Sequence, residues 1–150
     1  CGLSAILSGI VLLYPKQTLY ELLFFWGIPG AFHSFMTPEF TGGHHGVLYV
    51  EFFISHGGIL LSALYLTIVQ GMKPRVGSWL KVFLYSQLLI PTIGLANYLL
   101  DANYMFLCVA PIVENPFIFT REWPWYILGI DMAALVHYYI VYLISRLKKN

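Results

Sequence analysis

Apolar residues in this chain come in long runs, separated by short stretches marked by charge, proline or glycine. A bilayer core about 30 Å thick needs roughly 20 helical residues, so run length is the first thing to measure. The run 1–14 falls short of that length, and we expect its remainder upstream of Cys1. The second run, 19–36, holds Gly27, Pro29 and Gly30, which predict a kink. Runs 47–69 and 79–100 are long enough to span, the latter with Pro91 and Gly94 inside it. The last, 124–144, opens on Trp123, Trp125 and Tyr126, rings suited to the headgroup interface. The pattern predicts an all-α, polytopic transmembrane helical bundle with about five spans in one domain covering 1–150.

Composition points the same way. The 150 residues are 59% hydrophobic and 10% charged, where a soluble domain carries about 25% charged residues, and the mean hydropathy is +0.73. If the runs alternate across a bilayer, Lys16, Lys73, Arg75, Lys81, Arg146, Lys148 and Lys149 share one face and only Arg121 takes the other. The positive-inside rule makes the basic face cytoplasmic, with the C-terminus on it, in a multi-pass protein of the cell membrane. The 37–46 loop and the 101–122 segment then lie outside, the latter as a re-entrant or interfacial piece punctuated by Pro111 and Pro116. The basic residues form no stripe for nucleic acid, so membrane lipids are the expected partners. Cys1 and Cys108 are too few for a disulfide framework, leaving at most one bridge. No C-x-x-C pair suggests a structural metal, and no cofactor is expected. The abrupt start, Cys1-Gly2 followed directly by apolar residues, leads us to expect further sequence upstream.

Ionisable groups inside spans cost several kcal/mol, with the figure disputed, and are candidates for function for that reason. Here they are Glu21, His33, Glu51, His56, Asp131 and His137, joined by Gln87 and Asn97. Glu21 is close to the cytoplasmic boundary, where it reaches water with Lys16 as partner. His33 and Glu51 lie near the outer ends of their spans as candidate substrate-binding residues. His56 lies about ten residues down its span, roughly 15 Å at 1.5 Å per residue. Asn97, Asp101, Asn103 and Tyr104 gather where the fourth span leaves the membrane. His44 and His45 are read as solvated loop residues and His137 as packing or a helix–helix hydrogen bond. The polar cluster thus belongs to the outer half.

Cys1 begins a helix descending from the outer face; with a turn or so of that helix expected upstream of it, its sulfur lies roughly 9 Å deep, comparable with His56. A thiol and an imidazole at matching depth can act as nucleophile and base on an acyl carbonyl. Depth alone leaves open whether the two helices face each other.

Several blocks then become recognisable: Glu21-Leu22 with Phe25-Trp26-Gly27, Thr37-Pro38-Glu39, Phe52-Phe53 with His56, Asn97 followed by Asn103-Tyr104-Met105-Phe106-Leu107, and Trp123-Pro124-Trp125-Tyr126-Ile127-Leu128. Together they resemble the YwaF-like family of bacterial integral membrane proteins over nearly the whole chain. The resemblance implies six or seven spans, with two helices before a block whose final Cys aligns with Cys1. It also implies kinship with a eukaryotic phospholipid acyltransferase branch dependent on one Cys and one His, by position Cys1 and His56. Two positions depart from the pattern: Asp101, where Gly is expected, and His33, where Gln is more usual.

The expected function is therefore a membrane lipid acyltransferase, with Cys1 and His56 catalytic. Asn97 or Asn103 is expected to donate to the oxyanion, Tyr104 to support the site, and Asp131 to orient His56. With water as acceptor the same site is a lipid hydrolase. The rival class is a non-catalytic transporter or an accessory or scaffold subunit, in which the polar cluster forms a binding cavity or structural bonds.

Overall fold

The computed structural model describes residues 1–40 and 43–147; Lys148 and Lys149 of the basic tail, and positions 41–42 of the loop after the second helix, lie outside them. Among the described residues the chain is all-helical: α1 Gly2–Leu13, α2 Gln17–Met36, α3 Val47–Ile68, α4 Ser78–Leu100 and α5 Trp125–Leu147, with a single 3-10 turn at Tyr104–Phe106. Helix ends follow the local chemistry. Pro15 ends α1, because the residue before a proline is driven out of the helical region. Gly46 (φ 89°) and Gly77 (φ 75°) supply left-sided backbone ahead of α3 and α4. Pro124 sits just before α5, where a missing N–H costs nothing. α2 runs unbroken from Gln17 to Met36 through Pro29.

α3, α4 and α5 are long and apolar enough to cross a membrane; α1, at 12 residues, is a shorter apolar helix. α2 is the middle of the bundle, packing against α1, α3, α4 and α5, while α4 and α5 also pair with each other. Its Tyr20, Leu23, Phe24, Phe25 and Ala31 are buried, against Val11 of α1 and Ile59, Ala63 and Leu66 of α3. At Gly27 the α2–α3 approach is closest: an added Cβ would stand 2.9 Å from the Ile59 Cγ2. The outer helices turn large apolar side chains such as Ile54, Leu61, Leu88, Leu95 and Leu143 outward. That exposure suits a lipid solvent, in which an outward leucine loses nothing.

The helices alternate in direction. Cys1 meets Ser34 at one end, and at the other Gln17 and Arg146 reach the backbone of Lys73 and Pro74. The basic end is closed by one buried carboxylate. Glu21 Oε1 accepts from Arg75 N (2.8 Å), Arg75 Nε (2.9 Å) and Gln17 Nε2 (3.0 Å), and Oε2 accepts from Arg75 Nη2 at 2.6 Å. The partner expected from sequence, Lys16, takes no part, and Glu21 is buried rather than open to water. The long-range partner wins because the α3–α4 loop brings a two-pronged guanidinium and its own backbone N–H to both oxygens at once. Hydrogen bonding to Glu21, then its charge, raises the Arg75 pKa further above its usual value, so the cation is permanent. Tyr20 adds a second tie, its hydroxyl shared with Thr67 and donated to the Met72 carbonyl.

α4 ends on Asp101 in the left-handed region (φ 48°, ψ 48°). This is a cap that favours glycine, and Asp adopts it at some cost.

Two stability outcomes follow from these contacts. Glu21→Ala, which strips several charge-assisted hydrogen bonds, is expected to lower the melting temperature in detergent by about 5 °C, with Lys16→Ala unchanged. Asp101→Gly relieves the left-handed cap and is expected to raise it by about 2 °C. A thermal-shift series on the three variants checks both.

Candidate active site

The ends of the helices opposite the Glu21–Arg75 pair enclose a cavity of about 520 Å³ whose wall includes Cys1, His33, Ser34, His56 and His137. Each side chain is aimed by its own helix. His56, on α3, is buried beneath the Phe52 ring, with centroids 4.3 Å apart. Its Nδ1 lies 2.7 Å from the Phe52 carbonyl one turn back, and a carbonyl only accepts, so Nδ1 carries the hydrogen. Nε2 is left as the bare nitrogen, open to the cavity. Cys1, the N-terminal neighbour of α1, has its Sγ 3.5 Å from Ser34 Oγ. Since the Ser34 hydroxyl donates to the Gly30 carbonyl (2.9 Å), its oxygen is free to accept from the thiol.

Opposite these, His33 of α2 and His137 of α5 meet Nε2 to Nε2 at 3.0 Å. His137 Nδ1 is 2.6 Å from the Ala133 carbonyl and therefore donates to it, which makes His137 Nε2 the acceptor and His33 Nε2 the donor. His33 Nδ1 is then a second unprotonated nitrogen. The Phe117 ring stands edge-on to both imidazoles, 5.3 and 5.2 Å from their centroids, and fixes the pair. The helix–helix hydrogen bond that the sequence offered for His137, as an alternative to packing, is present; its partner lies 104 residues away, which no local pattern reveals.

The remaining expected residues are elsewhere. Asp131 does not orient His56: its Oδ1 accepts from Gln87 Nε2 at 2.9 Å, in the wall of a neighbouring cavity, and the Phe52 carbonyl fills the orienting role. Asn97 is no oxyanion donor either, because its amide clamps the Tyr104 backbone through N–H to Oδ1 (2.8 Å) and Nδ2 to carbonyl (3.0 Å). Asn103 spends its amide on Cys108 N, Val109 N and the Val109 carbonyl. Tyr104 turns toward the neighbouring cavity, and Glu51 is exposed on α3 in the wall of neither. Both cysteines are free. Among the described residues, no three His, Cys, Asp or Glu side chains converge as a metal site.

The segment between α4 and α5 roofs the site. Phe106, Pro111 and Phe117 reach the cavity wall. The roof is held by Arg121 donating to the Pro111 and Ile112 carbonyls, by Glu39 accepting from Ile112 N, and by Tyr126 and Trp123 donating to the Phe106 and Leu107 carbonyls. These bonds satisfy a backbone that outside the 3-10 turn forms no regular helix.

The chain matches the model of the TMEM164 family over residues 1–142. It belongs to the TMEM164 family, a transmembrane protein family. No curated protein and no solved structure matches it.

The roof rests on Gly129, where an added Cβ would stand 2.6 Å from the Phe117 carbonyl oxygen and 2.7 Å from its neighbour Phe119. Backbone cannot yield as a flexible side chain can. Gly129→Ala is therefore expected to lift the roof off α5, speeding amide hydrogen exchange over 111–119 by about tenfold while the Glu21 end stays protected.

Proposed function

We propose that this chain carries the active site of a membrane lipid acyltransferase in which Cys1 is the nucleophile and His56 the general base. The observation that carries the reading is the shared cavity: the Cys1 thiol and an imidazole whose only unprotonated nitrogen opens into the same apolar space. The resemblance of the sequence blocks to the YwaF-like family, with its Cys- and His-dependent relatives, supports it independently.

In the first half-reaction His56 Nε2 takes the thiol proton as sulfur attacks the ester carbonyl of a phospholipid. The S–C bond forms, the C–O bond breaks, and the lysolipid oxygen leaves with the proton from His56. In the second, an acceptor hydroxyl gives its proton to His56, its oxygen attacks the thioester carbon, and the thiol leaves reprotonated. His33 Nδ1 is suited to hold the acceptor hydroxyl, as an expected substrate-binding residue. Basic residues at one end of the bundle support an orientation with that end cytoplasmic and the cavity toward the outer leaflet.

The test is phospholipid acyl transfer by the purified protein in vesicles, with thiol alkylation as an independent readout. Cys1→Ser is expected to lower transfer by roughly 1,000-fold and His56→Ala by about 100-fold, with melting temperatures close to wild type. Alkylation of Cys1 slows in His56→Ala while that of Cys108 does not. Full transfer activity in Cys1→Ser would remove the nucleophile assignment and leave the cavity as a binding site.

A further inference from the structure

Cys1 also stands in the wall of a second cavity, of about 660 Å³, running between α4 and α5 beside the start of α1. We propose that this second cavity is an acyl chamber, holding the hydrocarbon chain of the phospholipid acyl group while its carbonyl is joined to the Cys1 sulfur. The proposal rests on the nucleophile assigned above and adds where the chain goes and what limits its length.

The two cavities share Cys1 but divide the chemistry. The three imidazoles, Glu39 and Asn115 line only the first; the second is walled chiefly by aliphatic side chains, of which Leu89, Ile90, Ile93 and Ile127 line it alone. A space of this size lined by apolar groups with few polar ones fits a flexible apolar ligand. Its walls belong to α4 and α5, whose other faces turn apolar residues outward, so a lipid chain can enter between helices from the bilayer itself.

The chamber has a definite floor. At the level of Ser86 Trp26 Nε1 donates to Ser86 Oγ at 2.9 Å, and Asp131, also in the wall, is held by Gln87. From Ala96 near the roof to Ser86 at the floor is ten residues of α4, or about 15 Å. A chain pressing deeper would have to part these hydrogen bonds or cover the Asp131 carboxyl with methylenes, both unfavourable. Ile93 projects from the α4 wall between roof and floor, which makes it the residue whose bulk sets the usable length.

The experiment uses vesicles of phosphatidylcholine carrying lauroyl, palmitoyl or behenoyl chains, with the thioester on Cys1 read by intact mass. Ile93→Trp is expected to shift the lauroyl-to-palmitoyl preference by about tenfold toward the shorter chain, and Ile93→Ala to move it the other way. Separately, wild-type protein is photolabelled with phosphatidylcholine bearing a diazirine at the tail, and label is expected on Ile90, Ile93 or Ile127. Tail label in the chamber without any Cys1 adduct keeps the chamber and removes the nucleophile. An adduct whose chain preference is unchanged in both Ile93 variants, with tail label on Val113 or Phe117 of the first cavity, overturns the chamber and leaves the nucleophile standing. Absence of both adduct and label from either cavity overturns both.

Discussion

In an apolar solvent a polar group must find its partner inside the protein, and this constraint shapes every part of the bundle. Serine and threonine hydroxyls return to the carbonyl one turn earlier, as Ser8, Ser62, Thr67 and Ser86 do. Gln87 satisfies Asp131, Asn97 satisfies the start of the 3-10 turn, and Glu21 is satisfied from three directions at the basic end. Among the described residues no fully buried side-chain nitrogen or oxygen lacks a partner. A few groups open on a cavity instead. His56 Nε2 and His33 Nδ1 are such groups, each bare because the rest of its ring is committed to hydrogen bonds within the protein.

Hydropathy made the architecture legible. Runs of the right length in a chain with so few charges leave little besides a helical bundle, and the breaks fall where Pro15, Gly46, Gly77 and Pro124 interrupt them. Depth was legible as well, which is why Cys1, His33 and His56 were sorted to one end before any contact was known. Facing was not. Helices with apolar residues all round carry no stripe that says which side meets which neighbour, so the bonds between helices stayed hidden: Glu21 with Arg75, His33 with His137, Gln87 with Asp131. Glu21 and Asp131 were at first matched by sequence nearness or depth, to Lys16 and to His56, and were drawn elsewhere by partners brought in by the tertiary fold; for His137 packing or a helix–helix hydrogen bond was expected, and the fold supplied the partner.

The asparagines show a second limit. Asn97 and Asn103 looked like oxyanion donors because they stand at the outer end among polar neighbours, where a site was expected. Irregular backbone follows them, however, and its N–H and C=O groups have no helix to pair with; two amides in this position are the cheapest supply of partners. A polar residue beside a roof segment is therefore as well explained by the roof as by the reaction. Asp101 and the positive φ values of Met105 and Phe106 belong to the same sharp exit from α4.

The two glycines of α2 separate packing from room. Gly27 is small because Ile59 leaves no space for a methyl, and it sets how near α3 can come. Gly30 has no atom within 4 Å of where a Cβ would stand, so its neighbours do not require it to be small. It lies in the wall of both cavities, one turn before Ser34 and beside Cys1. A side chain there would grow into the space next to the sulfur, where the two cavities meet. The helix at the centre of the bundle is thus tight on the face that holds α3 and bare at the level where the thiol stands.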